Sequence, residues 1–178
     1  MLRFLILIVI LFSTTLVQAQ LYSTRSGVVS FFSSTPLEDI EAKSTSVESK
    51  LLSTTGQVSF LMLIKSFRFP NQEMEDHANE SYLESDKYPK ADFRGTITNI
   101  KAINFKKEGT YPAIVKGTLT MHGVTKPVTA KGSVIVKNGK PTATCKFPVQ
   151  VTDFGINGSI VGKELARSID VTVNCQYQ

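Results

Sequence analysis

Apolar and polar residues alternate one for one along most of this chain, and turn residues cut the alternation at short intervals. Val58, Phe60, Met62 and Ile64 alternate with Ser59, Leu61, Leu63 and Lys65. The runs 91–97, 115–121 and 128–134 repeat the pattern. A period of two gives a strand one buried face and one wet face, which a helix cannot use. Between the runs stand Thr55-Gly56, Glu108-Gly109, His122-Gly123, Asn138-Gly139 and Asn157-Gly158. Asn138-Gly139 is the clearest hairpin turn, because both residues tolerate positive φ. The pattern predicts strands near 21–25, 27–33, 38–43, 46–52, 57–66, 91–102, 110–122, 125–137, 141–152 and 167–177, the first two either separate or one bent strand. Sequential hairpins of this kind suit an all-β, up-and-down barrel, which leaves no exposed edge.

One segment breaks the rule. Asn71 to Leu83 is polar and poor in β-branched residues, and Pro70 and Pro89 bracket it. Met74, Ala78 and Tyr82 fall at helical spacing, predicting one short helix in a 70–84 insertion that covers a mouth or flank of the barrel.

The first 19 residues have a different character. Arg3 precedes the apolar run Phe4–Phe12, and Val17 and Ala19 are small residues ahead of Gln20. This is the layout of a secretory signal peptide cut after Ala19. A run of nine is too short to span a bilayer core, which takes about 20 apolar residues. The expectation is therefore a cleaved leader over 1–19, a single domain over 20–178, and a periplasmic or extracellular protein. Losing Arg3 lowers the formal charge of the 178-residue chain from +5 to +4.

Export bears on the two cysteines. Cys145 and Cys175 lie on the apolar faces of neighbouring strand patterns. If 151 pairs with 169 they stand opposite each other, so they form either a disulfide or a pair of buried thiols.

Chemistry-bearing motifs are scarce. There are two histidines, two cysteines and no tryptophan, which argues against a zinc cage, haem or an iron–sulfur cluster and implies no cofactor. No nucleophile elbow, phosphate loop, dinucleotide fingerprint or His-Glu-x-x-His stands in the sequence, and Asp153 and Glu164 have no reason to face each other. His122 beside Gly123 reads as turn geometry before it reads as a general base, and His77 lies on a polar helix face. The lysines are spread over outward strand positions and turns without interleaved aromatics, a pattern for solubility and edge protection and not for nucleic acid.

The block from Val58 to Pro127 resembles the YceI-like family of exported, lipocalin-like proteins. Ser66-Phe67-Arg68-Phe69, then 79–95, and above all Gly117-Thr118-Leu119-Thr120-Met121-His122-Gly123-Val124-Thr125-Lys126-Pro127 carry the resemblance, with Asp153-Phe154-Gly155-Ile156 closing it. The resemblance implies an eight-stranded antiparallel barrel with a helix beside its opening, an elongated apolar cavity for a polyisoprenoid-type lipid, and no catalytic residues. Ala78 stands where a larger side chain is expected in similar sequences, which would widen the mouth.

The inward face should hold Phe31, Val58, Phe60, Met62, Ile64, Phe93, Ile97, Val115, Leu119, Val134 and Phe147. Pattern alone leaves open whether they fill a solid core or line a channel, since an eight-stranded barrel is just wide enough for either; the resemblance points to the channel. Gly95, Gly117 and Gly132 would either leave room for it or let the strands bend. Met74, Ala78 and Tyr82 would form a lid. Arg68 and Arg94 are the head-group candidates, since arginine suits phosphate. The function expected is non-catalytic binding of a long-chain, isoprenoid-type lipid, with peripheral contact to an anionic membrane surface. The competing readings are a filled barrel acting through protein contacts and an enzyme built on His122.

Overall fold

The structure is a computed structural model and describes residues 20–178; the expected leader over 1–19 lies outside them. Eight antiparallel strands close in simple sequence order: β1 (Leu21–Ser34), β2 (Asp39–Leu52), β3 (Gln57–Leu63), β4 (Lys90–Ile97), β5 (Gly109–Met121), β6 (Val124–Lys137), β7 (Lys140–Gln150) and β8 (Ser168–Gln176). β8 returns to β1 over Val28↔Asn174 to Phe32↔Asp170, so no edge is left unpaired.

The ten expected strands become eight because two pairs of them are single bulged strands. On β2 the buried positions run Ala42, Ser44, then Val47, Ser49, Leu51, a change of phase opposite register shifts at Thr24/Gly27 and Gly27/Val29 of β1. A bulge inserts one residue and re-aims the side chains that follow, which in sequence looks like one strand ending and another starting. The hairpin turns behave as the residue types require: Asn138-Gly139 and His122-Gly123 both have positive φ at both positions, the conformation of a type I′ turn.

The connectors sort to two ends. One end carries the β1–β2 turn, the long 64–89 insertion, the His122-Gly123 turn and the 151–167 loop. The other carries the 53–56 turn, the 98–108 loop, the Asn138-Gly139 turn and Gln178. This second end is shut: Tyr22 stacks on Phe105 with centroids 5.5 Å apart, and Leu51, Val136 and Tyr177 are buried beside them. The Tyr177 hydroxyl shares a buried hydrogen bond of 2.8 Å with Ser49 Oγ.

The insertion forms helix α1 (Gln72–His77), capped by Asn71 Oδ1 accepting from Met74 N–H at 2.8 Å, and continues as a π turn over Ala78–Tyr82. The segment before it is stitched to β2 by paired backbone hydrogen bonds between Lys43 and Arg68. Phe67 and Phe69 consequently lie edge-on to Phe31, at 5.2 and 5.9 Å. Among the described residues no helix is long and apolar enough to cross a membrane.

Candidate functional site: an apolar cavity inside the barrel

Inward positions follow directly from the alternation: 91, 93, 95 and 97 on β4, 113 to 121 on β5 in steps of two, 143 to 149 on β7. The space they enclose is hollow. A cavity of about 250 Å³ runs from Leu51 and Tyr177 at the shut end to Met74, His77 and Leu165 at the other. All eleven side chains expected inside, from Phe31 to Phe147, are on its wall. Several of them, including Phe31, Phe60, Phe93, Val115 and Phe147, are only partly buried although they point inward; the surface they expose faces the cavity. Ala91, Ala113, Ala130 and Ala143 also line it and keep it open.

The glycines serve close contacts and not channel volume. Gly95 and Gly117 face each other across β4 and β5. A Cβ on Gly95 would stand 2.7 Å from a Phe93 ring carbon, and one on Gly117 2.6 Å from the same ring. The glycine pair is the seat for Phe93 and adds no channel volume. Gly132 is required by strand approach, since its Cβ would meet the Thr144 carbonyl oxygen at 2.1 Å.

Met74, Ala78 and Tyr82 all line the cavity, together with His77 and Leu83. Tyr82 and His77 hydrogen-bond each other at the opening. Burial raises the Tyr82 phenol above its usual range, and the charge of Glu164 raises it further.

The arginines are elsewhere. Arg68 Nη1 donates to Glu75 Oε1 at 2.7 Å and to the carbonyls of Lys65 and Phe67, strapping α1 to the chain before it. Arg94 occupies an outward position of β4, its side chain 84% exposed, with Asp92 at 3.7 Å. Neither lines the cavity.

Cys145 and Cys175 are both free thiols. The register is offset by two from the expected one: Cys175 pairs with Ala143 and Cys145 with Val173. Alternation detects a slip of one residue, which flips every side chain, but a slip of two preserves the faces and leaves no trace in the pattern. Diagonal positions lie roughly 7–8 Å apart, too far for a disulfide. Burial pushes the Cys145 thiol up to about 11 and that of Cys175 up to about 12.

His122 is a structural clamp. Nδ1–H donates to the Phe154 carbonyl at 3.0 Å, Nε2 meets Glu84 Oε2 at 2.9 Å, and the ring lies 4.3 Å from that of Tyr88. One imidazole thereby ties the β5–β6 turn to the insertion and to the 3-10 turn Val151–Phe154. Because a carbonyl only accepts, Nδ1 carries the proton in the bond to Phe154. Glu84 itself was not legible as a partner, being 38 residues away in sequence. No cluster of potential metal ligands exists among the described residues.

A hollow, closed, sequential eight-stranded barrel with an insertion at its mouth is a specific combination. A sequence-family profile described as YceI-like domain matches residues 14–177. The chain belongs to the YceI-like family. A UPF0312 protein of Pseudomonas putida (strain GB-1) is 36% identical over 93 residues, covering 48% of this chain and 45% of that protein. The match thus spans about half the length of this curated relative. Among solved structures, a polyisoprenoid binding domain from Saccharophagus degradans, implicated in plant cell wall breakdown, superposes with a TM-score of 0.77 at 12% identity, over 90% of this chain and 99% of that one. Burkholderia cenocepacia BcnA gives 0.69 at 16% identity, over 83% and 94%. These likenesses establish the shared fold, the closed eight-stranded antiparallel barrel with one short helix that the sequence leads one to expect.

Proposed function

We propose that this YceI-like protein is an exported carrier that holds the tail of a long-chain lipid, of isoprenoid type, inside the barrel and performs no chemistry on it. The cavity carries the reading. A wall of aliphatic and aromatic side chains around an open interior is unstable toward water and favourable toward hydrocarbon, each buried CH₂ contributing up to about 0.8 kcal/mol. The polyisoprenoid-binding description of the Saccharophagus domain supports the same ligand class, and the leader-like residues 1–19 support export. The closure at Tyr22, Phe105 and Tyr177 leaves the insertion end as the way in. Non-catalytic action fits a barrel whose two histidines are already engaged, His122 with Glu84 and the Phe154 carbonyl, His77 with Tyr82.

The test is native mass spectrometry of protein exported by its host and purified without detergent, with organic extraction of any adduct. Retention of a discrete hydrophobic adduct, or 1:1 uptake of added polyprenols by the ligand-free protein, is expected. Failure of both polyprenols and other long-chain lipids to bind would overturn the carrier reading.

A further inference from the structure

The polar end of the ligand would sit at the mouth, so the side chains there decide what head group is admitted. Three observations agree about their charge. Among the described residues, no lysine or arginine lines the cavity. The ionisable side chains that line it at the mouth are Glu38 on the β1–β2 turn, His77 and Tyr82 on the insertion, and Glu164 on the 151–167 loop. Glu38 and Glu164 have no ion-pair partner among the described residues, while His77 and Tyr82 are bonded to each other.

The wider field has the same sign. The connectors at the mouth, 35–38, 64–89, 122–123 and 151–167, carry nine acidic and five basic side chains. The far-end connectors 53–56, 98–108 and 138–139 carry three basic and one acidic. A chain with a positive overall charge thus presents a negative opening, and the two arginines nearest in sequence to a phosphate-binding role are turned to Glu75 and to solvent. Carboxylates beside a low-dielectric cavity repel anions and accept hydrogen bonds.

We infer that the cavity selects lipids whose polar end donates hydrogen bonds and bears no negative charge, an alcohol or an amine, and discriminates against phosphate, diphosphate and carboxylate ends on the same tail. The inference rests on the lipid-carrier reading. It replaces Arg68 and Arg94 as head-group determinants with Glu38 and Glu164, and it disfavours docking of the mouth on an anionic membrane.

The test holds the tail constant. Geranylgeraniol, geranylgeranylamine, geranylgeranyl diphosphate and geranylgeranoic acid are titrated into the delipidated protein at low salt, with binding read by native mass spectrometry and calorimetry. The alcohol and amine should bind at least about tenfold more tightly than the diphosphate and the acid. The Glu38→Gln/Glu164→Gln double variant, and separately raising the salt, should narrow that gap. Diphosphate binding as tight as that of the alcohol, or a gap unaffected by the double variant, would overturn the inference while leaving the carrier reading intact. If none of the four binds, the carrier reading fails first and this inference falls with it.

Discussion

Replacing Ala143 with leucine separates a hollow barrel from a filled one. Ala143 points inward from β7, opposite Val134 and Cys175, and lines the cavity. Leucine adds three carbons. If they enter empty space, they bury up to about 2.4 kcal/mol of apolar surface, less roughly 0.5–1 kcal/mol of side-chain entropy. The ligand-free protein should become more stable by about 1.5 kcal/mol, a rise in Tm of about 3–6 °C for a domain of this size. The same three carbons take the place of ligand tail, so a polyprenol that fills the cavity should bind up to about 60-fold more weakly. In a filled core the substitution would instead overpack and cost about 1–3 kcal/mol. Denaturant unfolding of delipidated protein and titration of polyprenol into both forms supply the two numbers. Loss of stability with unchanged lipid affinity would refute the reasoning.

Three other consequences are open to direct measurement. Tyr177→Phe leaves Ser49 without its buried partner at the shut end and should cost about 1–3 kcal/mol in urea unfolding, without altering head-group preference. The thiols of Cys145 and Cys175 titrate higher in the folded protein than in the unfolded chain, where the ordinary value is 9.0. Their contribution is therefore complete below pH 9 and is lost as pH rises, by up to about 1.4 kcal/mol per unit per thiol; a Cys145→Ala/Cys175→Ala variant should show a flatter alkaline limb, and a thiol reagent should react with the wild type only on unfolding. Desolvation raises the Glu84 carboxyl, but hydrogen bonds and charge from His122 and Lys87 outweigh it and hold Glu84 below its ordinary 4.5. That stabilisation is present above pH 4.5 and lost as pH falls through the lowered value, so amide exchange in 78–88 should accelerate at acid pH in the wild type and already be fast in His122→Gln.

The sequence disclosed what alternation and turn chemistry encode: which residues face inward, where the hairpins fall, and that the polar stretch between Pro70 and Pro89 is helical. It obscured what depends on pairing partners. A bulge on β1 and β2 mimicked two extra strand breaks. A two-residue offset between β7 and β8 kept both cysteines inside yet separated them. Gly95 and Gly117 allow either missing volume or strand bending in the sequence, and the Phe93 ring that occupies their space is visible only in the fold. Whether the barrel is hollow is likewise a property of the sum of side-chain sizes around the ring, which only the closed register reveals. At the mouth, aptitude for phosphate points to arginine, but Arg68 is held by Glu75 and Arg94 faces solvent beside Asp92, placements that depend on tertiary partners.

The absence of tryptophan allows the central claim to be tested with a single optical reporter. Phe147→Trp places an indole on the cavity wall, and Leu61→Trp places one on the outer face of β3, where Leu61 is exposed. Titrated with a polyprenol, the tryptophan at 147 should change its emission and saturate at one lipid per chain, while that at 61 should not respond. A reporter at 147 that stays silent throughout the titration, or two reporters that respond alike and without saturation, would contradict a lipid-holding interior.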